Sequence, residues 1–396
     1  MKSLSTTVLT INGGSSGIKF ALYEAATPLK LLFSGQLEFH NNSNTFTITN
    51  ALTLQQINTA IQNIEPYDTG DFLIEQLIKQ NLFDSIKLIG HRIVHGMKHT
   101  EPQLISPELL TDLKKISAYD PEHLPGEIKL IEAFQKRFPA IPQVACFDTF
   151  FHHEMPAVAK LLPIPRRFQK EGIQRYGFHG LSYAYLLEEL ERIAGKETVH
   201  GKIIIAHLGN GASLAAIKNG KSLDTSMGFT PVSGIPMGKR TGDLDPGIAW
   251  YMMQFEKLTP KQFNQLINHE SGLLGISETS SDMRELLKIK NTDSRAADAI
   301  ELFCYQTKKY IGSYAAVLGG LDTLIFSGGI GEHSPEVRSM ICDGLQFLGI
   351  ALDEIKNANN AAVISTDSSK VCVRVIKTNE QIMIATTACN VVKLSH

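Results

Sequence analysis

Apolar residues along this chain follow two rhythms. Val8-Leu9-Thr10-Ile11 reads as a short buried run, and a second strand, Ile18 to Tyr23, resumes with alternating apolar residues. Asn12-Gly13-Gly14-Ser15-Ser16-Gly17 lies between them, which predicts strand–turn–strand rather than strand–turn–helix. The grammar returns mid-chain, with a strand at Lys202 to Ala206, a turn at His207-Leu208-Gly209-Asn210-Gly211-Ala212-Ser213, and a returning strand at Leu214 to Ile217 closed by Asn219-Gly220. Two glycine hairpins about half a chain apart suggest an internally duplicated fold, one hairpin per domain. The second rhythm is helical. Apolar positions three and four apart predict helices over Asp71 to Gln80 and Leu181 to Ile193, and a long one over Asp298 to Leu318. The last runs into a strand at Thr323 to Phe326 and a third glycine turn, Ser327-Gly328-Gly329-Ile330-Gly331-Glu332. Helices alternating with strands predict an α/β architecture, with domains joined by short crossings around a cleft.

Composition narrows this picture. At 396 residues, two domains are expected. A net charge of −2 argues against a dedicated nucleic-acid binder. The five cysteines are scattered and form no CxxC pair, which argues against disulfides and thiolate metal sites and for a reducing, cytoplasmic setting. The N-terminus lacks a signal-peptide pattern, and no run of about 18 apolar residues predicts a membrane span.

Three glycine turns with Ser or Asn point to a nucleotide, because exposed backbone N–H groups hold phosphate oxygens. Ser15, Ser16 and Lys19 of the first hairpin are candidate nucleotide contacts. The turns are not a Walker A site, since Gly220-Lys221-Ser222 has Ala215 where the upstream glycine belongs. Two arginines sit among glycines: Arg92 in Gly90-His91-Arg92-Ile93-Val94-His95-Gly96, after a strand at Ile86 to Ile89, and Arg240 in a polar loop, Met237 to Pro246, that enters a helix near Gly247. Guanidinium grips carboxylate or phosphate with paired hydrogen bonds, and the flanking glycines suggest loops a ligand can approach. Surface ion pairs are the alternative fate. His179 lies between Gly177 and Gly180, a packed structural histidine being the alternative to a functional one. His91, His95 and His99 have helical metal spacing, but their glycines and β-branched neighbours argue for strand and loop, and against zinc. Asp148 follows a strand at Val144 to Phe147, and Glu380 follows one at Val371 to Ile376.

These motifs, with Ile11-Asn12-Gly13-Gly14-Ser15-Ser16, Phe147-Asp148-Thr149, Arg175-Tyr176-Gly177-Phe178-His179-Gly180 and Gly242-Asp243-Leu244-Asp245-Pro246, resemble the acetate kinase family in order and spacing over nearly the whole chain. The resemblance implies a duplicated ribonuclease-H-like fold, shared with actin, Hsp70 and sugar kinases. Its two domains, 1–150 plus 382–396 and 151–381, would flank a nucleotide cleft. It implies a homodimer, Mg²⁺ (or Mn²⁺), ATP/ADP as co-substrate, and acetate as acceptor. Arg92 and Arg240 would hold acetate and the transferring phosphoryl group. His179 would steady that group, and Asp148 would be the essential acidic residue. Asn12 and Glu380 would lie near the metal. His207, Asn210, Gly211 and Gly328, Gly329, Ile330 and Gly331 would bind nucleotide. Val94, Phe178 and Pro231 would wall in the acetate methyl.

Both substrates are anions, so two arginines and Mg²⁺ would offset their repulsion. A carboxylate needs no general base, so Asp148 is expected to position the metal. The sequence departs from the family at Gly17, Lys239 and His333, and in Asp120-Pro121-Glu122-His123-Leu124-Pro125, where Glu122 falls at an expected apolar pocket position. A propionate or other short-acyl kinase is therefore the near alternative, and an ATP-driven binding protein the one from a different class.

Overall fold

The computed structural model describes residues 6–14, 17–39, 44–61 and 69–394. It divides into two compact units, Met1–Phe150 with Asn379–His396, and Phe151–Thr378. The return to the first unit thus falls at Asn379, three residues ahead of the expected 382.

The first unit is built on a mixed sheet. Its strands are β1 (Thr7–Gly14), β2 (Gly17–Glu24), β3 (Lys30–Glu38), β4 (Asn44–Asn50), β5 (Gln56–Ile61), β6 (Ile86–Ile93), β7 (Gln103–Leu104) and β8 (Gln143–Phe147). Among the described residues their order is β5-β4-β3-β2-β1-β6-β8-β7. β1, β2 and β3 pair antiparallel, whereas β6 joins β1, and β8 joins β6, in parallel. The second unit holds β9 (Lys202–Leu208), β10 (Ala212–Lys218), β11 (Lys221–Thr225), β12 (Thr323–Ser327) and β13 (Cys372–Val375), in the order β11-β10-β9-β12-β13. Again the first three strands pair antiparallel and the last two join in parallel. With β4, β5 and β7 set aside as additions to the first sheet, the five strands β3-β2-β1-β6-β8 repeat the order and directions of β11-β10-β9-β12-β13, a 3-2-1-4-5 pattern in each unit. The fold is a duplicated ribonuclease-H-like fold, as in actin, Hsp70 and sugar kinases.

The central strands are covered on both faces, so they read as continuous apolar runs. On one face of the first sheet, Leu9, Ile11, Phe20 and Ile89 pack with Leu73 and Leu77 of the helix Thr69–Lys79 and with Leu130 and Phe134 of the helix Leu124–Arg137. The helix Glu380–Val392 packs on β6, β1 and β8. A Cβ on Gly90 would come within 2.7 Å of Ile384 Cγ2. Gly90 therefore admits the helix, not a ligand.

The predicted helices appear as Thr69–Lys79, Gly180–Ala194 and Ser294–Leu318, the last capped by the Asp293 side chain and stopped by Gly319 in the left-handed region. Two readings change. The third glycine turn is the start of a helix, Gly328–His333. Arg92 lies inside β6, not in a loop after it. Strands β3, β5 and β11 carry too little apolar alternation to be read, and β5 is exposed at five of its six positions, whereas β4 sets buried Phe46 and Ile48 between Thr45, Thr47 and Thr49, a period-two signal that sequence reasoning missed. Asn219 and Gly220, both at positive φ, turn β10 directly into β11. All five cysteines are free thiols. Among the described residues no helix is long and apolar enough to cross a membrane.

Candidate active site

In the first unit the parallel strands β1, β6 and β8 end together, and ligands of open α/β sheets bind at such carboxyl ends. β6 carries Arg92 to this edge and β8 delivers Asp148 one residue past its end. Arg92 Nε and Nη2 donate to Asp148 Oδ2 at 2.9 and 2.6 Å, and Nη1 donates to the Gly13 carbonyl at 3.0 Å. Burial works against the charge of Arg92, but the Asp148, Glu380 and Glu127 carboxylates outweigh it and hold the guanidinium protonated. Burial likewise pushes the Asp148 carboxyl up against the opposing pull of Arg92, and Glu380 adds to the rise.

Glu380 opens the helix Glu380–Val392, and its Oε2 accepts from Asn12 Nδ2 at 2.8 Å. Asn12, Arg92, Asp148 and Glu380 thus form one cluster. Asp148 Oδ1 is buried and has no hydrogen-bond partner. An orphaned carboxylate oxygen, a second carboxylate and an amide are hard oxygen donors that fit Mg²⁺, which takes few protein ligands and fills its shell with water and phosphate. Among the described residues no group of three His, Cys, Asp or Glu is placed to hold a metal ion.

Val94 is buried, and its N–H donates to both oxygens of Glu127 at 3.2 and 3.1 Å. Burial raises the Glu127 carboxyl well above its ordinary range. Sequence reasoning missed Glu127, although a charge among Leu124, Ile128 and Ile131 on one apolar helix face was a usable signal. In the departing segment Asp120 and His123 are buried and bonded to each other at 2.9 Å, while Glu122 is half-buried. Gly17 has its own cause: a Cβ there would sit 2.1 Å from the Leu37 carbonyl oxygen, so a serine does not fit this hairpin. Ser15 and Ser16 lie outside the described residues, and Lys19 is exposed on β2 opposite Asn12. His91 is buried against Gln143 at 2.6 Å and burial lowers it to about 4, a neutral structural group.

The second unit gathers its own cluster where β9 turns into β10. His179 caps the helix Gly180–Ala194 from the left-handed region, at φ 60° and ψ 23°. Strain of this kind in a non-glycine residue persists where the surroundings over-determine it. Its Nδ1 lies 2.8 Å from Ser213 Oγ, and its ring centroid 4.6 Å from that of His207. A Cβ on Gly211 would lie 3.3 Å from His179 Nε2 and 3.9 Å from Arg240 Nη1, so both nitrogens border the backbone of this turn. Arg240 Nη1 also donates to the Pro231 carbonyl at 3.1 Å. The Arg240 loop docks on the turn through Gly238, whose N–H donates to the Asn210 carbonyl at 3.0 Å. A Cβ on Gly238 would meet Asn210 Oδ1 at 2.2 Å, so its glycine serves packing. Phe178 is buried beside His179. Lys239 is exposed, and His333 is exposed with Nε2 3.8 Å from Glu332 Oε2.

Gly328 opens its helix at φ 77°, where a Cβ would strike the Leu208 carbonyl oxygen at 2.7 Å. Glu332 Oε1 accepts from the N–H groups of Gly328 and Thr378 at 3.0 and 3.1 Å. Fully buried Arg338 donates to the carbonyls of Gly331 and Asn357, each at 2.8 Å, and burial lowers it to about 10. No sequence signal singled it out.

A family model described as the acetokinase family matches residues 7–386. The chain belongs to the acetokinase family. It is 40% identical over 389 residues to an acetate kinase of Rhodopseudomonas palustris, covering 96% of this chain and 97% of that one. It is 41% identical over 388 residues to the propionate kinase PduW of Salmonella typhimurium, covering 96% of each. Among solved structures, the acetate kinase of Porphyromonas gingivalis superposes with a TM-score of 0.86 at 36% identity, over 98% of this chain and 100% of that one. A propionate kinase from Francisella tularensis superposes with a TM-score of 0.90 at 36% identity, over 97% and 99%. As a member of the acetokinase family the chain is a kinase, with ATP or ADP as co-substrate.

Proposed function

We propose that the chain is an acetate kinase that reversibly transfers the γ-phosphoryl group of ATP to acetate, giving acetyl phosphate and ADP by direct in-line transfer. The observation that carries this reading is the Arg240–His179 pair, two nitrogens fronting the bare backbone of Gly211. Such a corner suits a small, multiply charged oxyanion, and glycine leaves room for it. Within the first unit Arg92 is oriented by Asp148, and within the second Arg240 is oriented by the Pro231 carbonyl. Both work on groups whose charge spreads in the transition state. The acceptor carboxylate is a nucleophile at neutral pH, so the reaction needs no base from Asp148. Asp148, Glu380 and Asn12 would hold Mg²⁺, which supplies charge neutralisation on the phosphates. His207, Asn210, Gly211 and the 328–331 segment, with Ser15, Ser16 and Lys19, would bind nucleotide. Val94, Phe178 and Pro231 would face the methyl. A cytoplasmic setting fits the buried free thiols.

Propionate is the second reading, because propionate kinases stand among the relatives at the same identity as acetate kinases. One methylene changes discrimination by only about 1–3 kcal/mol. We expect a hydroxamate assay with ATP to give the highest kcat/KM for acetate, with propionate lower and butyrate lowest. A higher value for propionate reassigns the substrate, and no acyl phosphate from any of the three acids refutes the reaction.

We also propose a homodimer. The helix Pro246–Gln254 is mostly apolar yet buries none of its residues, and Trp250, the sole tryptophan, is 67% exposed. A second copy covering this face gives twice the 43.6 kDa chain mass in light scattering. Trp250→Glu is expected to shift that mass toward the monomer, and a monomeric wild type would contradict the proposal.

A further inference from the structure

His179 reaches the Arg240 corner through Nε2, while Nδ1 faces inward to Ser213. Ser213 is itself bonded, Oγ to the Tyr183 hydroxyl at 2.5 Å. Both Tyr183 and Ser213 are fully buried. We propose that Tyr183 and Ser213 are positioning residues that set the tautomer of His179, so that the proton sits on Nε2 and the ring presents an uncharged donor beside Arg240.

The argument is a count of hydrogens. A tyrosine hydroxyl and a serine hydroxyl each carry one donor hydrogen. The Tyr183 hydroxyl has Ser213 Oγ as its hydrogen-bond partner among the described residues, so its hydrogen goes there. Ser213 Oγ then accepts from Tyr183 and donates its own hydrogen to its other partner, His179 Nδ1. With Nδ1 accepting, a neutral imidazole carries its proton on Nε2. The reverse arrangement, with Nδ1–H donating to Ser213 and Ser213 to Tyr183, leaves the tyrosine hydrogen buried without an acceptor, which is costly. Burial keeps Tyr183 protonated by pushing its hydroxyl up, so the relay holds across the working pH range. The backbone contributes too. The left-handed conformation of His179, just after Gly177 at φ 75°, departs from the helix it caps. The Tyr183 hydroxyl comes from one turn further along that helix.

This inference deepens the proposed function and rests on it for the role of His179 toward the transferring phosphoryl group. The tautomer can be read without turnover, from histidine ¹⁵N shifts of the full-length protein at pH 8. The wild type should show an Nε2–H ring for His179. Ser213→Ala should release it to a mixture of tautomers, and Ser213→Thr, which keeps the hydroxyl, should restore it. Ser213→Ala and Tyr183→Phe should each lower kcat about tenfold with KM for ATP little changed, since the donor acts on transition-state charge. An Nδ1–H ring in the wild type overturns the relay. An Nε2–H ring in the wild type with unchanged kcat in both variants overturns the positioning role. A wild type that makes no acyl phosphate counts against the proposed function alone, because the ring's tautomer is read separately.

Discussion

Arg240→Ala should lower kcat by about 100- to 1000-fold, a loss of roughly 3–4 kcal/mol of transition-state stabilisation. The loop that carries Arg240 is held by other contacts. The Gly238 N–H bonds to the Asn210 carbonyl, and the Met237 N–H to the backbone carbonyl of residue 240, which alanine keeps. The turn at Gly211 and the cap at His179 belong to β9–β10 and to the helix Gly180–Ala194. The variant should therefore fold, with a circular dichroism spectrum and unfolding midpoint close to wild type, and still bind nucleotide. Arg240→Lys should recover little, because one ammonium cannot hold Pro231 and also offer a second, coplanar donor. Near-normal turnover in Arg240→Ala would remove the corner from the mechanism.

Arg92→Ala should lose activity by a similar factor and, unlike Arg240→Ala, lose stability as well. Asp148 is 1% exposed and Arg92 14%, and two of three hydrogen bonds from the guanidinium end on one carboxylate oxygen. Removing one partner of a buried pair leaves the other charge uncompensated, a cost of about 3–5 kcal/mol. The pH dependence has a definite sign. The Asp148 carboxyl is already raised in the folded state by burial and by Glu380, and losing Arg92 removes the group that opposes the rise. A folded carboxyl with a raised pKa binds its proton more tightly than the unfolded chain does, so stability falls as pH climbs through the window between the two values. The variant should be closest to wild type at mildly acidic pH, where Asp148 is protonated, and furthest from it above neutrality. Arg92→Ala with Asp148→Asn should regain part of the stability and none of the activity. Urea unfolding at pH 5 and pH 8 would test this, and a pH-independent deficit would contradict it.

Much was legible in the chain itself. Local physics wrote the β1–β2 and β9–β10 hairpins, because a glycine turn between short apolar runs depends on neighbours a few residues away. The long helix Ser294–Leu318 was equally legible, since its rhythm and its Gly319 stop are local. The same local residues carried the family resemblance. Other features depended on partners distant in sequence. Arg92 looked like a loop residue because Gly90 and Gly96 flank it, yet those glycines admit Ile384 and Phe147. The 327–332 segment looked like a turn because its helix, Gly328–His333, is only six residues long and its Gly328 is called for by the nearby carbonyl of Leu208, distant in sequence. Strands β3 and β5 each bury one residue, too few to announce themselves, whereas β4, with Phe46 and Ile48 buried between threonines, carried a legible alternation.

The sequence by itself determined the duplication, the α/β class, the family, and which residue types were available for chemistry, since each of these is carried by order and spacing along the chain. Tertiary structure alone decided that Arg92 is gripped by Asp148, 56 residues away, and that His179 Nδ1 meets Ser213 Oγ across 34 residues. It also decided that Glu127 turns inward to the Val94 backbone. Hydrogen-bond partners and desolvation depend on distances in space, and those are defined only once the strands have paired and their faces are covered.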